Sequence, residues 1–366
     1  MKAISLLPGT HDVDLLNVAE PEVRSKTQVK IRILEVGVCG TDREQVEGGR
    51  ADAPTGAKRL ILGHEMFGQV VETGPEVTKV SVGDYGVFSV RRGCGKCVPC
   101  QNNRSDMCYT GNYTERGIKG LHGFDAEYVV DEEQYLVKVP VSIKSIGVLA
   151  EPMSVAEKAI DEALNIQESR LPKITKEEWI VGKKALVVGM GAIGILAAVA
   201  LRLRGAEVLG LDIVDENTNR PSILKRVGGY YLDGRKIKAS DIDKKFGQVD
   251  FIFEAAGVAS LGFEIIDALG INGIYVMTGI PHEARPVCIT GAQLMKQIVL
   301  KNQIIIGSVN AGPTHFQLAI DDLEKAKNKW GDLMDEIITT RVGYDQFKDA
   351  LELRTENDIK TVIVWD

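Results

Sequence analysis

The spacing of apolar positions changes near residue 184. Before that point, short alternating runs bounded by Gly, Pro and Asp predict β-strands, for example at 29–38 and 68–74. A short helix is expected after Asp42. The first part of the chain is therefore predicted to be mostly β.

A longer helix is predicted over 154–164. Val155, Ala159 and Leu164 recur there at helical spacing. The following stretch, 165–182, is polar, contains one Pro and predicts a connection between the two regions.

From residue 184 onward, continuous apolar runs alternate with helical patterns. This alternation predicts a parallel sheet whose ligand lies at the carboxyl ends of its strands. Gly257, Gly279 and Gly307 stand at predicted strand ends and leave space for a cofactor. The predicted strands are 184–188, 207–211, 249–254, 273–279, 303–310 and a terminal strand within 355–366, and the predicted helices include 195–205 and 315–330.

A glycine-rich motif, GMGAIG, directly follows the strand 184–188 and opens a helix. Glycines permit a tight turn and close approach to a pyrophosphate, and the helix N-terminus supplies N–H groups. Asp212 ends the next strand, 18 residues past Gly194. This context predicts dinucleotide binding, with a glycine-rich turn that binds no nucleotide as the alternative.

Composition narrows the class of protein. A chain of 366 residues accommodates two domains, and 44% hydrophobic with 26% charged residues is ordinary for a globular enzyme. A net charge of −7 argues against a nucleic-acid partner. We find no apolar run long enough to span a membrane and no signal peptide, so we expect no membrane partner and a cytoplasmic location.

Four of the six cysteines lie close together with the spacing C-x2-C-x2-C-x7-C. Four thiolates can close a tetrahedron around Zn²⁺ with no open position, which indicates a structural zinc site. An iron–sulfur cluster and a pair of disulfides are the alternatives. The four residues are Cys94, Cys97, Cys100 and Cys108.

A second set of metal-ligand types lies earlier in the chain. Cys39 precedes Thr41 by two residues, and His64 and Glu65 stand in the run GHE-x2-G-x5-G-x2-V. Thiolate, imidazole and carboxylate are all zinc ligands. Taken singly, Cys39 and His64 can also be side chains on a buried sheet face.

The gapless run from Gly63 to Val77, together with the four-cysteine spacing, resembles the zinc-dependent medium-chain dehydrogenase/reductase family. The resemblance implies an α/β fold: a GroES-like, mostly β catalytic domain and a doubly wound, parallel-sheet Rossmann domain. The expected limits are 1–183 with 311–366 for the catalytic domain and 184–310 for the Rossmann domain. It also implies two Zn²⁺ per chain, one catalytic and one structural.

The same resemblance assigns roles around the catalytic zinc. Cys39, His64 and Glu151 would be the ligands, and Glu65 would bind the metal directly, bind it through water or orient the site. Thr41 would accept the substrate proton. From the residues alone, Glu151 can also be an acidic side chain that favours a helix N-terminus. The residues expected to contact the coenzyme are Gly189, Gly191, Ala192, Ile193, Gly194, Asp212, Ala256, Gly257, Gly279 and Ser308.

Further segments, CGTDRE, RRGCGKC, GLHGF, QYLVKVP and IKTVIVW, resemble the archaeal-type glucose (aldose) 1-dehydrogenases. That branch implies hydride transfer from C1 of an aldose to NAD(P)⁺, giving a lactone. Thr41, Glu115, Glu151 and Asn310 would then contact the substrate.

Three positions, Val90, Val155 and Leu300, depart from polar residues of that branch. They favour a less polar sugar, and they keep a polyol or secondary-alcohol dehydrogenase as the alternative. A binding protein without catalysis would not need an open metal site, and a zinc-free quinone reductase would lack both zinc motifs.

Asp212 also bears on the choice of coenzyme. NADP-using members carry Asn-Arg at this position, whereas an aspartate accepts from the ribose 2′-OH and repels a 2′-phosphate. We therefore expect NAD to be preferred over NADP. Arg220 nearby either softens that preference or belongs to a solvated helix face. The resemblance further implies a homodimer or homotetramer through an edge strand at 303–308. Cys288 and His282 have no partner motif and are interpreted as structural.

Overall fold

The computed structural model describes residues 1–281 and 286–365. His282 lies outside the described residues, and Cys288 is exposed. Within the described part of the chain, the strands form two large and two small sheets.

The mostly β part is built on the long strand Gln28–Val38, which pairs antiparallel with Glu65–Thr73, Tyr128–Glu132 and Lys360–Val364. Ile31 and Ile33 on this strand are fully buried. The strands of the β part and its small sheets are Lys2–Leu6, Val13–Asn17, Gln28–Val38, Leu60–Ile61, Glu65–Thr73, Tyr85–Phe88, Arg91–Arg92, Thr114–Arg116, Gly120–Leu121, Tyr128–Glu132, Leu136–Val139, Ile338–Gly343 and Lys360–Val364.

The strand Lys360–Val364, near the end of the sequence, pairs with a strand from the first part of the sequence. It runs antiparallel to Gln28–Val38 and parallel to Ile338–Gly343. This pairing places Lys360 two strands from Glu65. The domain limits at 183/184 and 310/311 stay a prediction.

The second large sheet is parallel throughout the described residues. Its spatial order is Tyr230–Asp233, Glu207–Asp212, Lys184–Val188, Val249–Glu254, Leu269–Met277 and Ile304–Gly307. The strand order reverses between Lys184–Val188 and Val249–Glu254, and ligands of open parallel sheets bind at such a reversal. The last strand ends at Gly307 rather than at 310, and Asn310 has a left-handed φ of 63°.

Two predicted helix boundaries were wrong. The helix expected after Asp42 begins at Gly40, because the Asp42 carboxylate accepts the Cys39 N–H and caps the turn. The stretch 165–182 is largely helical, because Ala150–Arg170 packs against Pro313–Trp330 and Thr175 caps a further helix. The α-helices are Gly40–Val46, Val98–Gln101, Ala150–Arg170, Lys176–Ile180, Ala192–Leu203, Asn219–Arg226, Ala239–Phe246, Ala259–Glu264, Gly291–Leu300, Pro313–Trp330 and Phe347–Glu352. None of the described helices combines the length and apolar character that a bilayer crossing needs.

Candidate active site

A single cleft of about 1310 Å³ brings the two parts of the chain together. Cys39, Thr41 and Glu65 line it from the β part. The glycine-rich turn and Asp212 line it from the parallel sheet. The cleft therefore places the predicted metal-binding and nucleotide-binding residues on opposite walls of one space.

The predicted metal residues Cys39, His64 and Glu65 converge at one wall. Their ligand atoms all lie within 4.8 Å of one another. Gly63 takes a left-handed φ of 83°, which turns the chain immediately before His64. His64 and Glu65 are buried, and Cys39 is half-buried. One sulfur, one nitrogen and one carboxylate oxygen form a donor set that fits Zn²⁺.

Glu151 lies beside this group but outside the 4.8 Å set. It is buried in the first turn of the helix Ala150–Arg170. Burial raises the pKa of the Glu151 carboxyl to about 7, and the neighbouring Glu65 carboxylate adds to that rise. Glu151 is thus close enough to Glu65 for the two carboxylates to repel each other. Its role as a ligand stays a prediction.

Asp42 is a site residue that the sequence interpretation missed. Its Oδ1 lies 3.2 Å from His64 Nδ1, and its Oδ2 accepts the Cys39 N–H at 2.7 Å. The contact with His64 is electrostatic, since the ring nitrogen makes no well-aligned hydrogen bond with a described residue. Burial alone would lower the pKa of His64, but the Asp42 carboxylate raises it well above the ordinary value. Asp42 therefore holds both Cys39 and His64, and a carboxylate on a ligating histidine is a common support of metal sites.

Lys360 is a second missed residue. Its side chain is 3% exposed, forms an ion pair with Glu65 and donates to the Val38 carbonyl at 3.0 Å. Burial opposes the charged ammonium, yet the Glu65 carboxylate raises the pKa of Lys360. A buried cation thus neutralises Glu65 at the base of the metal group.

The four predicted thiols of the other site also meet. The sulfurs of Cys94, Cys97, Cys100 and Cys108 lie within 4.8 Å of one another. The pairs Cys94–Cys100 and Cys97–Cys108 are each 3.9 Å apart. A tetrahedron with Zn–S bonds of about 2.3 Å has S···S edges of about 3.8 Å, whereas a disulfide is about 2.05 Å long. The spacing therefore fits one shared tetrahedral ion.

The glycine-rich turn has the geometry that close approach of a nucleotide requires. Gly189 takes a φ of 84°, and a Cβ on Gly194 would lie 1.8 Å from the Gly189 carbonyl. The helix Ala192–Leu203 begins directly after the turn. All six residues of the motif except Met190 line the cleft, as do Ala256, Gly257 and Gly279.

Of two further residues predicted to contact the coenzyme, Asp212 lines the cleft and Ser308 does not. Asp212 accepts the Met190 N–H at 2.8 Å and lies 3.3 Å from Arg220. Arg220 also donates to the Asp358 carbonyl, so it bridges both walls of the cleft. Ser308 does not line the cleft, and its buried hydroxyl has no partner among the described residues.

The predicted substrate residues fall into two groups. Thr41 lines the cleft, as does Val155. Glu115 and Asn310 do not line it but contact each other, because Asn310 Nδ2 donates to Glu115 Oε1 at 2.6 Å. Arg91 donates twice to the same oxygen, at 3.0 and 2.8 Å. The role of Glu115 and Asn310 in substrate binding stays a prediction.

Two of the positions that depart from the aldose branch do not line the cleft. Val90 is buried, and Leu300 is 69% exposed at the end of the helix Gly291–Leu300. Glu44 also lines the cleft and pairs with Arg50 at 3.0 Å.

Comparisons with known proteins decide the family. Residues 25–141 match the alcohol dehydrogenase GroES-like domain, and residues 144–365 match the glucose dehydrogenase C-terminus. The chain is 38% identical over 364 residues to glucose 1-dehydrogenase 2 of Vulcanisaeta moutnovskia, covering 99% of each chain. The chain belongs to the glucose dehydrogenase family.

Other members agree with this assignment. Glucose 1-dehydrogenase of Methanocella arvoryzae is 35% identical over 365 residues, covering 99% of each chain. The structure of Haloferax mediterranei glucose dehydrogenase in complex with NADP, Zn and gluconolactone matches with a TM-score of 0.88 and 30% identity. That match covers 100% of this chain and 99% of the other. The predicted family, and the fold class of a GroES-like domain with a Rossmann sheet, are confirmed.

Proposed function

We propose that this glucose dehydrogenase family member is a zinc-dependent oxidoreductase that transfers hydride from C1 of an aldose to NAD(P)⁺ and releases the lactone. The observation that carries the proposal is the single cleft that joins the Cys39, His64 and Glu65 group to the glycine-rich turn. The family's relatives named as glucose 1-dehydrogenases support it, as does the Haloferax complex with NADP, Zn and gluconolactone.

We assign the catalytic zinc to Cys39, His64 and Glu151, with Glu65 as a direct, water-mediated or supporting partner. When bound there, zinc would supply Lewis acidity that makes a substrate hydroxyl more acidic. Thr41 would take the proton from that hydroxyl. A second, structural zinc belongs to the four cysteines. The nicotinamide carries the hydride chemistry, and the chain positions it.

The charges around the site fit this assignment. Asp42 fixes the His64 ring and the Cys39 backbone, so the ligand atoms are held before any metal arrives. Lys360 balances the negative charge that Glu65 brings to the same wall. The Glu115 carboxylate would accept hydrogen bonds from sugar hydroxyls, and the Asn310 amide would donate hydrogen bonds to them. All three hydrogen bonds given to the Glu115 carboxylate by the described residues fall on Oε1, which leaves Oε2 for a ligand.

For the coenzyme we propose a preference for NAD over NADP. Asp212 stands at the strand end where the adenosine ribose binds in Rossmann sheets, and its negative charge opposes a 2′-phosphate. Arg220, at 3.3 Å, offsets part of that charge. Replacing Asp212 with Asn should raise the ratio of kcat/KM for NADP⁺ to that for NAD⁺ by about tenfold, the effect of a change of about 1.4 kcal/mol. An unchanged ratio would refute this role of Asp212.

A polyol or secondary-alcohol substrate is the second candidate. It is favoured by Val155, which presents an apolar side chain to the cleft where the aldose branch carries a polar one. The test is coenzyme reduction by the zinc-replete protein with D-glucose, D-galactose, D-xylose, L-arabinose, sorbitol and simple secondary alcohols. Turnover of an aldose with lactone release supports the first proposal. Turnover of polyols or alcohols alone replaces it with the second.

We further propose a homodimer or homotetramer formed through the edge strand of the parallel sheet. The strand Ile304–Gly307 is the last in the sheet order, and the adjacent helix exposes Met295, Val299 and Leu300. Replacing Val299 with Glu should shift the solution mass toward that of a monomer in light scattering. An unchanged mass would argue for another interface. A cytoplasmic location stays a prediction from the sequence.

A further inference from the structure

Glu254 ends the strand Val249–Glu254 and is only 3% exposed. Its carboxylate accepts the Ala256 N–H at 2.8 Å and the Gly257 N–H at 2.7 Å on Oε1. The Gly279 N–H lies 3.3 Å from Oε2. One buried carboxylate therefore ties together the loops that follow two neighbouring strands.

The Glu254 backbone strengthens the same junction. Its carbonyl accepts the Thr278 N–H at 2.9 Å and the Thr278 hydroxyl at 2.7 Å, and it shares the Gly279 N–H, at 3.2 Å, with the carboxylate Oε2. A Cβ on Gly279 would lie 2.3 Å from the Gly257 nitrogen, so the two loops touch and only glycine fits. The two loops are held as one rigid unit.

This bonding fixes the direction of three peptide groups. In a trans peptide the C=O points opposite to the N–H of the next residue. Because the N–H groups of Ala256, Gly257 and Gly279 point at Glu254, the carbonyls of Ala255, Ala256 and Thr278 point away from it. Those three residues line the cleft, and no described residue donates a hydrogen bond to their carbonyls.

Sheet order shows which part of a dinucleotide would meet these carbonyls. Asp212 ends one strand, the glycine-rich turn follows the next, and Glu254 and Met277 end the two strands beyond it. If the adenosine ribose lies at Asp212 and the pyrophosphate at the glycine-rich turn, the remaining half of the molecule extends over the loops after Glu254 and Met277. That half is the nicotinamide riboside, which carries hydroxyl and carboxamide donors.

We propose that Glu254 is a positioning residue for the nicotinamide half of the coenzyme, because it turns the Ala255, Ala256 and Thr278 carbonyls toward the cleft. This inference rests on the proposed dinucleotide binding. Glu254 itself does not touch the coenzyme and acts through the loop backbone.

The test compares two ligands and two matched variants. Glu254→Gln keeps the shape of the side chain but replaces one acceptor oxygen with an NH₂ group, which cannot accept a hydrogen bond. An NH₂ group in place of Oε1 leaves the Ala256 and Gly257 N–H groups without their acceptor, whereas one in place of Oε2 leaves the Gly279 N–H with the Glu254 backbone carbonyl alone. Asp250→Asn is the control, because Asp250 lies at the other end of the same strand, accepts the Lys184 N–H at 3.1 Å and does not line the cleft. The ligands are NADH and ADP-ribose, which lacks the nicotinamide, and calorimetry measures the Kd of each.

We expect E254Q to weaken NADH binding by about tenfold and to change ADP-ribose binding by less than about twofold. D250N should leave both values unchanged. Equal weakening of both ligands, or no weakening of NADH, would overturn the proposal, since a purely structural residue does not distinguish the two ligands. Thr278→Val, which removes the hydroxyl donor to Glu254, should weaken NADH alone and to a smaller degree, and it serves if E254Q does not fold. If the wild-type protein bound neither ligand, the proposed function would be wrong and this inference would fail with it.

Discussion

Replacing Asp42 with Asn should selectively weaken the catalytic metal site. The buried Asp42 carboxylate faces His64 Nδ1 at 3.2 Å and accepts the Cys39 N–H at 2.7 Å. Asparagine has one acceptor oxygen and one NH₂ group, so it can keep only one of these two contacts, and it carries no charge. Both proposed ligands then lose part of their orientation.

The size of the effect follows from those two contacts. Loss of a supporting carboxylate typically reduces metal affinity by about 10- to 100-fold, which is about 1.4 to 2.7 kcal/mol. The four-cysteine site does not share these residues, so its affinity should stay the same. Activity at low free zinc should fall in parallel with the weakened affinity.

The assay is a competition titration with a chromophoric chelator that resolves two zinc ions per chain. The four-cysteine site serves as the internal control, and Asp332→Asn, which changes a fully exposed carboxylate, serves as the matched variant. Equal zinc affinities of D42N and the wild type at both sites would show that Asp42 does not support the catalytic metal site.

Three further predictions concern other buried groups. Cys97→Ser should remove one zinc per chain and lower the thermal unfolding midpoint, while NADH still binds. Metal analysis measures the zinc content, and calorimetry measures the unfolding midpoint and the binding of NADH. Retention of two zinc ions per chain would contradict the structural zinc site. Lys360→Met leaves the Glu65 carboxylate without its buried partner, so we expect kcat to fall with little change in the Kd for ADP-ribose; an unchanged kcat in steady-state assays would speak against a role for Lys360. Asp131→Asn leaves Arg92 and Arg116 buried without a carboxylate and should reduce the free energy of unfolding by about 3–5 kcal/mol at neutral pH. Burial opposes ionisation of Asp131, but Arg116 and Arg92 hold its pKa below the ordinary value of 3.8. The wild type therefore loses this stability as the pH falls below 3.8. A difference in the free energy of unfolding between the wild type and D131N that did not shrink on acidification would argue against this role of Asp131.

Local patterns predicted the parts of the molecule that depend on neighbours in the sequence. The glycine-rich turn needs a left-handed Gly189 and a small Gly194, and both requirements are visible as spacing. The four cysteines lie within one short lobe, so their convergence was also predictable. The extension of the helix Ala150–Arg170 was not, because its polar second half is stabilised by packing against a distant helix.

The residues that support the site were harder to predict because they act across the fold. Lys360 reaches Glu65 only because a strand near the end of the chain pairs with Gln28–Val38. The sequence around Glu254 predicts only one more residue of an apolar strand. Its role depends on two loops that are distant in the sequence and that both donate N–H groups to its carboxylate. Asp42 did carry a local signal, since an acidic residue three positions after Cys39 is typical of a helix cap. Its second contact with His64 needed the tertiary structure.

The proposed function depends on the transfer of hydride from C1 of an aldose to the nicotinamide. The most direct measurement uses the best aldose substrate of the panel, deuterated at C1, with the zinc-replete protein and NAD⁺. We expect the reduced coenzyme to carry deuterium at C4 of the nicotinamide ring, seen by NMR, together with the lactone. Reduced coenzyme without deuterium, or no reduction with any aldose, would contradict hydride transfer from C1 of an aldose.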